Sequence, residues 1–150
     1  MVDKLDIEII KILAKNSRLS IREIASVLKQ AHSSIHQRMK RLLEKGVIRR
    51  FTVLVDYEAL GFSITALILL QVEGAYIVEV GEILSKEPNV ISVYDITGDY
   101  DLAIIAKFKG IHELDVFVKK INKNKWVKRT VTSIVLRSLK EDPLSLLSLV

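Results

Sequence analysis

The sequence lacks cysteine altogether, so the chain can form no disulfide bond, no thiolate metal site and no thiol nucleophile. It also lacks a long apolar run, because the longest, residues 64–70, is interrupted by Thr65 and is far too short to cross a membrane. No charged segment followed by an apolar segment opens the chain, so we expect no signal peptide. Together these absences favour a cytoplasmic protein without a membrane partner.

Side chains arranged for catalysis are missing as well. The sequence has no glycine-rich phosphate loop and no nucleophile beside a base. Asp95, Asp99 and Asp101 could bind a divalent cation through their oxygens, but no histidine lies near them. His32 and His36 have no cysteine to join them and do not make a zinc site. We therefore expect no enzyme, no metal and no cofactor.

Positive charge is concentrated in the first two-fifths of the chain. The net charge is +5, and residues 1–60 hold 12 Lys and Arg against 7 Asp and Glu, whereas residues 61–150 hold 11 of each. Residues 29–50 alone hold seven basic residues and one acid, Glu44. A solvated surface normally mixes the two signs, so this cluster favours a polyanion partner such as double-stranded DNA.

Apolar residues recur at helical spacing three times within residues 3–45, which predicts three helices. Ser20 and Glu23 form a capping-box pattern at the start of the second helix, and Gly46 ends the third. The three stripes are Leu5, Ile9, Ile12 and Leu13; Ile24, Ala25 and Leu28; and Ile35, Met39, Leu42 and Leu43. The second and third helices, joined by a tight turn, have the form of a helix-turn-helix unit, and residues 47–56 read as an extended segment.

The second half of the chain changes its period and predicts the order βαββαβ. The predicted strands are residues 64–72, 90–97, 101–108 and 131–139, and the predicted helices are residues 76–86 and 111–124. This order indicates an α+β, ferredoxin-like sheet with both helices on one face. The strands are too apolar for a wet second face, which predicts burial against another subunit. We divide the chain into residues 1–50 (DNA binding), 51–62 (a linker strand and turn) and 63–150 (ligand sensing and oligomerisation).

These residues resemble the Lrp/AsnC, or feast/famine, family of transcription regulators over essentially the whole chain. The matching motifs are Leu5-Asp6, Ile12-Leu13, Arg18 and Ser20; Arg38, Leu42, Gly46, Val47 and Ile48; Leu60-Gly61; and Gly98-Asp99-Tyr100-Asp101-Leu102. The resemblance implies a winged-type helix-turn-helix domain, a ferredoxin-like RAM domain, an amino-acid effector, and a homodimer that assembles to an octamer. Few Asn and Gln and no Cys are typical of thermophilic proteins, so we expect a prokaryotic, thermophilic archaeal source.

The third helix is the predicted reading helix, since the second helix of such a unit enters the major groove. Gln37 could pair with an adenine, and Lys40 or Arg41 with a guanine or a phosphate. Arg38 fits either a phosphate clamp or an internal salt bridge, and both interpretations stay open. The candidate DNA-binding residues are Ser20, Arg22, Ser33, Ser34, His36, Gln37, Arg38, Lys40, Arg41, Arg49 and Arg50.

One position departs from the family pattern. The family usually has a serine where Ala31 stands, and alanine cannot accept the hydrogen bond that caps a helix start. We therefore expect the cap to pass to Ser33, or the reading helix to start later.

Residues 98–101 combine a glycine, two carboxylates and a phenol between apolar strands. Carboxylate acceptors where water is scarce suit an ammonium group, and the family's effector loop lies here. By resemblance the candidate effector-binding residues are Gly98, Asp99, Tyr100 and Asp101, with Thr132, Ser133 and Ile134 facing the effector from a neighbouring dimer. The other interpretation is a hairpin turn in which Asp101 caps an amide. An amino acid bound between dimers would shift the population of assembly states.

Two other functions use the same residues. An architectural DNA-binding protein with little sequence specificity would need the same basic helices and no effector. An amino-acid sensor that has lost DNA binding conflicts with the charge asymmetry.

Residues 144–150, with four leucines, predict a packing strand or an interface segment.

Overall fold

The first part of the chain forms three helices whose starts follow from local hydrogen bonds. The structure is a computed structural model that describes residues 2–150. The helices are α1 Lys4–Lys15, α2 Ile21–Leu28 and α3 His32–Glu44. Asp3 and Asp6 form a capping box at the start of α1, and Ser20 and Glu23 form the predicted one at the start of α2. The helix-turn-helix prediction is confirmed.

The turn between α2 and α3 is made by a lysine in a left-handed conformation. Lys29 has a φ of 52°, which is uncommon for a residue with a side chain. The next amide, that of Gln30, donates to the Ala25 carbonyl at 2.9 Å. This bond satisfies a carbonyl at the end of α2, so only three residues separate the end of α2 from the start of α3.

The start of α3 lacks a side-chain cap. Ala31 occupies the cap position with extended dihedrals (φ −67°, ψ 140°), and no side chain caps the helix. Both expectations, a cap at Ser33 and a later start, are therefore wrong. Ala31, His32 and Ser33 are exposed, so water can accept from the free amides of the first turn.

The core of the three helices is formed by the predicted stripes. Ile9, Ile24 and Ile35 are fully buried, one from each helix, and Leu42 is 1% exposed. Leu43, which the spacing also assigned to the core, is 40% exposed. Gly46 takes the predicted left-handed conformation at φ +67° after α3.

Residues 47–56 form no strand, which corrects the predicted linker strand. An extended segment becomes a strand only when a second strand pairs with it, and within residues 2–150 none does. Val53 and Leu54 are 75% and 72% exposed, so apolar side chains of this segment face solvent in the single chain.

The rest of the chain forms the predicted ferredoxin-like βαββαβ sheet. The elements are β1 Ile64–Val72, α4 Ile77–Ser85, β2 Val90–Asp95, β3 Leu102–Phe108, α5 Ile111–Asn122 and β4 Val127–Ile134, with 3₁₀ turns at Gly74–Tyr76 and Ser145–Leu149. The strand order is β2-β3-β1-β4, and every neighbouring pair is antiparallel. The order and the α+β class are confirmed.

The last strand begins four residues earlier and ends five residues earlier than predicted. Trp126 stacks on Tyr76 with ring centroids 3.5 Å apart, and its carbonyl accepts from the Glu73 amide at 2.9 Å, so pairing begins at Val127. Strand pairing ends at Ile134, which lies opposite Ala66, and the Val135 amide still donates to the Thr65 carbonyl at 2.8 Å. Tertiary contact, not strand propensity, set these limits.

One face of the sheet is packed and the other is half-covered. On β1, Ala66, Ile68 and Leu70 are fully buried under the helices, while the intervening Leu67 is 39% exposed. Within the single chain this outer face is therefore open, and its predicted burial against another subunit stays a prediction. Ile83 of α4 lies three residues after the buried Val80, a spacing that predicts an inward side chain, but it is 44% exposed.

The chain divides into two units. The first ends at Leu54 and also takes in Lys140–Val150, and the second is Val55–Leu139. Residues 140–150 therefore group with the three helices. The last of these residues form a 3₁₀ turn and not the predicted strand. Among residues 2–150, no helix is both long and apolar enough to cross a membrane.

Candidate DNA-binding face and effector loop

The outward face of α3 presents a mixed polar surface. Ser33, His36, Gln37 and Lys40 are exposed, and Ser34 is half-buried at the first turn. Ile35 and Leu42 on the opposite face are buried in the helical core. The structure therefore exposes an amide, a hydroxyl and an imidazole at the start and middle of the helix, and also the Lys40 ammonium, which lies 3.8 Å from Glu44 Oε1.

Two arginines of α3 are held by carboxylates of α1. The Arg38 Nη1 atom lies 2.6 Å from Asp3 Oδ2 and 2.8 Å from Asp6 Oδ1. The Arg41 Nη2 atom lies 2.6 Å from Asp6 Oδ2 and 2.9 Å from Asp6 Oδ1. Of the two interpretations left open for Arg38, the structure forms the internal salt bridge, and Arg41 joins it.

Asp6 is the centre of this cluster. Its side chain is only 1% exposed, yet it accepts from both arginines and from the Asp3 amide. Burial acts to raise the pKa of Asp6, but the Asp3 amide, Arg38 and Arg41 outweigh it and lower that pKa. The hydrogen bond from Arg38 lowers the pKa of Asp3, and the same contact raises the pKa of Arg38. Ion pairs between these two carboxylates and the two arginines therefore fasten α1 to α3.

The remaining basic candidates lie at the surface. Arg22 on α2 and Arg49 and Arg50 after α3 are exposed. Ser20 is exposed too, but its hydroxyl donates to Glu23 Oε2 at 2.7 Å and accepts from the Glu23 amide at 3.3 Å. Ser20 therefore acts in the cap of α2, and the Ser20 hydroxyl and amide lower the pKa of Glu23.

Asp3 and Asp6 were not among the predicted site residues, although the structure makes them partners of the predicted reading helix. A signal for the pairing exists in the sequence. Asp3 and Asp6 are three residues apart, as are Arg38 and Arg41, and both spacings place the two side chains on one helical face. Two matched pairs of opposite charge on neighbouring helices predict such a cluster.

The loop between β2 and β3 is fastened to the end of β1. The Asp101 amide donates to the Leu70 carbonyl at 2.8 Å, and Asp101 Oδ2 accepts from the Val72 amide at 2.7 Å. Gln71 donates through its side chain to the Asp99 carbonyl at 2.9 Å. The structure thus forms the amide cap considered for Asp101, and one carboxylate oxygen is committed to it.

Gly98 gives the loop its shape. Its φ is +115°, a conformation that residues with a side chain rarely adopt. Asp99 is exposed and Tyr100 is half-buried, so the loop offers a carboxylate and a phenol at its surface.

Thr132, Ser133 and Ile134 are not brought to this loop within one chain. Thr132 pairs with Ile68, four residues or about 13 Å along β1 from Val72, and β4 lies on the opposite side of β1 from β3. Successive strand residues also point to opposite faces, so Ser133 faces away from its two neighbours. These residues could meet such a loop only in another copy of the chain.

Metal ligands are not clustered in the described structure. Among residues 2–150, no group of three His, Cys, Asp or Glu side chains is placed to hold a metal ion. Asp95, Asp99 and Asp101 therefore do not come together as a cation site.

A helix-turn-helix unit joined to a ferredoxin-like sheet with a polar loop defines a class of ligand-responsive DNA-binding regulators. Residues 2–49 match the family model described as winged helix-turn-helix DNA-binding, and residues 65–145 match the Lrp/AsnC ligand binding domain. The chain belongs to the Lrp/AsnC family of transcription regulators, and it is not an enzyme.

Individual relatives agree with this assignment over nearly the whole chain. An uncharacterized HTH-type transcriptional regulator of Pyrococcus abyssi is 44% identical, over 95% of this chain and 97% of that protein. The HTH-type transcriptional regulator FL11 of Pyrococcus horikoshii is 41% identical, over 93% of both chains. Among solved structures, a Neisseria meningitidis regulator in complex with L-Met is 27% identical with a TM-score of 0.85, covering 96% of this chain and 97% of that one. The Escherichia coli AsnC structure is 25% identical with a TM-score of 0.88, covering 95% and 97%.

Proposed function

We propose that this protein binds specific DNA sequences as a transcription regulator in the cytoplasm, and that a small amino acid modulates its assembly or its DNA binding. The observation that carries the proposal is that α3 has two kinds of polar residue, one exposed and one bound to α1. Gln37, Lys40 and their polar neighbours are exposed, while Arg38 and Arg41 are fastened to α1. Affinity without specificity would need only exposed charge, whereas this face offers hydrogen-bonding groups that discriminate bases.

In the proposed complex the outward face of α3 lies in the major groove. Gln37 reads an adenine through two hydrogen bonds, and Lys40 contacts a guanine or a phosphate. Arg22, Arg49 and Arg50 bind phosphates and fix the register of the protein on the duplex. Arg38 and Arg41 orient α3, and the exposed part of Arg41 (40% of its side chain) can still face a phosphate.

The effector part of the proposal concerns residues 98–101. An amino acid has an ammonium group that a carboxylate can bind, and this loop carries two carboxylates beside Tyr100. The structural neighbour from Neisseria meningitidis is a complex with L-Met, which supports an amino acid as the effector class. Thr132, Ser133 and Ile134 of a neighbouring dimer would complete the site.

The assembly part of the proposal follows from uncovered apolar surface. Leu67 on the outer sheet face is 39% exposed, and Phe51, Val53 and Leu54 after α3 are 49%, 75% and 72% exposed. A homodimer would cover such surface and would pair two helix-turn-helix units across a two-fold axis. Dimers assembling to an octamer would place several DNA-binding units on one stretch of DNA.

The first test is a thermal-shift screen of the full chain against the twenty amino acids. A ligand at about 100 times its Kd stabilises the folded state by roughly 2.7 kcal/mol, which is a measurable shift of Tm. The variant Asp101→Asn keeps an acceptor for the Val72 amide but removes the charge, and Asp95→Asn at the end of β2 is the control that removes a nearby carboxylate outside residues 98–101. We expect a selective shift that Asp101→Asn loses and Asp95→Asn keeps. A screen in which no amino acid raises Tm would contradict the effector proposal.

Sequence specificity is tested separately, by selection of bound duplexes from a random library. We expect an enriched, two-fold symmetric sequence whose binding survives excess random DNA and raised salt. No enrichment, with binding that collapses in salt and competitor, would instead identify an architectural DNA-binding protein.

A further inference from the structure

A groove separates α4 from α5 on the helical side of the second unit. Its lining is mostly apolar and consists of Val80, Ile83, Leu84, Phe117, Ile121 and Val127. Val80 and Phe117 are buried, whereas Ile83 keeps 44% of its surface exposed. An exposed isoleucine beside a buried apolar floor means that the groove is not filled by the chain itself.

The size of the groove limits what it can hold. Its volume is about 80 Å³. One water molecule needs only about 10–15 Å³ of such space, so the groove has room for a group larger than water, such as an aliphatic side chain.

The mouth of the groove carries both signs of charge. Lys120 Nζ lies 2.6 Å from Glu87 Oε1, and the two side chains are 64% and 21% exposed. Asn124 also lines the groove, and because its Oδ1 accepts from the Trp126 amide at 3.0 Å, its remaining polar group is a donor. One carboxylate and two donors therefore surround one apolar floor.

We propose that this groove is a second amino-acid site, which takes an aliphatic α-amino acid of the size of valine or leucine. Glu87 accepts hydrogen bonds from the α-ammonium group, and Lys120 and Asn124 donate to the α-carboxylate. The aliphatic side chain fills the space beside Ile83. Glu87 is only 21% exposed, so a carboxylate that gives up its ion pair with Lys120 needs a new one, and the α-ammonium group of the ligand supplies it.

The proposed site is distinct from residues 98–101 and does not depend on that loop binding anything. The two are joined through one strand pair, since Val127 of the groove pairs with Val72, and the Val72 amide donates to Asp101. The test therefore has to separate the two sites by variants at each.

Trp126 provides the readout, because it is the single tryptophan and its amide donates to Asn124 in the groove. The fluorescence of the full chain is titrated with leucine, with leucinamide, which lacks the carboxylate, with isocaproate, which lacks the ammonium group, and with glycine, which lacks the side chain. We expect saturation with leucine, and binding of the other three at least about tenfold weaker, as the loss of a charged hydrogen bond or of the apolar contact requires.

Variants at the mouth locate the signal. Glu87→Gln and Lys120→Gln should each raise the Kd for leucine about tenfold. The matched controls are Glu82→Gln on α4 and Lys119→Gln on α5, which should bind leucine as the wild type does.

Three results would overturn the proposal. They are no saturable response to leucine in the wild type, equal binding of leucine and leucinamide, and a response that Asp101→Asn abolishes while Glu87→Gln keeps it. The last result would leave the effector loop intact as a site and remove only the groove. Urea unfolding of each variant verifies that a lost response does not reflect a lost fold.

Discussion

Asp6 of α1 and Arg41 of α3 face each other at 2.6 Å, with the carboxylate buried and the guanidinium partly exposed. The contact joins the first helix to the reading helix, and Arg38 adds a second bond to the same carboxylate. Arg41, which was expected to contact DNA, therefore positions the predicted reading helix.

Replacing Asp6 should destabilise the helical unit. Asp6→Ala removes the shared acceptor of Arg38 and Arg41 and should lower the free energy of unfolding by about 2 kcal/mol, less than for a fully buried pair because both arginines reach solvent. Urea unfolding measures the loss. Glu8→Ala is the control, since Glu8 is 54% exposed and its bond to Lys11 is 3.8 Å long, and it should change stability by less than about 0.5 kcal/mol. Equal effects of the two variants would mean that the cluster does not fasten α3.

The same carboxylates predict that the helical unit loses stability at low pH. The pKa values of Asp3, Asp6 and Glu23 are lowered in the folded state by their hydrogen bonds and charged partners. Their contribution to stability is therefore complete above the unfolded pKa of about 4 and is lost as the pH falls through the lower folded values. Unfolding midpoints measured from pH 7 to pH 2 should decline below pH 4, and Asp6→Asn should flatten that decline. A wild-type slope in the variant would speak against this assignment.

The uncapped start of α3 offers a gain of stability. Ala31→Ser supplies an oxygen that can accept from the free amides of the first turn, and it should raise the free energy of unfolding by about 1 kcal/mol. Thermal unfolding measures the gain. Ala31→Val, which adds bulk without an acceptor, should give no gain. If serine and valine behave alike, the free amides of this turn do not limit stability.

Gln37 and Arg50 should affect DNA binding in different ways. Gln37→Ala should cost about 1–3 kcal/mol for the preferred sequence and relax the choice of base at one position. Arg50→Ala should weaken all duplexes alike and reduce the dependence of log K on log salt by about one. Binding titrations at several salt concentrations separate the two effects. A uniform loss for Gln37→Ala would place that residue on phosphate instead of on a base.

Gly98 should resist substitution because of its backbone alone. At φ +115° a Cβ meets no atom within 4 Å, so Gly98→Ala should be penalised by strain and not by a clash. The expected loss is about 1 kcal/mol, together with a weaker effector response. Gly74→Ala is the matched control, since it also meets nothing within 4 Å but has no positive φ. Comparable losses in both variants would remove the conformational argument.

The helices and most of the sheet could be predicted from the sequence. Apolar residues that recur every 3.6 residues, together with capping residues such as Ser20 and Glu23, predicted α1, α2 and α3. The βαββαβ order followed from the alternating patterns of the second half. These are local signals, in which residues a few positions apart report on one element. The family motifs predicted the function class, because motifs of the Lrp/AsnC family occur in both halves of the chain.

Only the tertiary structure decided which charged groups of the helical unit stay exposed. Arg38 and Arg41 carry the same chemistry in the sequence as Arg49 and Arg50, but the distant Asp3 and Asp6 bind the first two and leave the others exposed. It likewise decided that β4 begins at Val127, where the Trp126 stack ends, and that Asp101 caps the Val72 amide. The sequence by itself determined the elements and the family, since those depend on local pattern. Partners 29 or more positions apart were settled by packing, which no local pattern encodes.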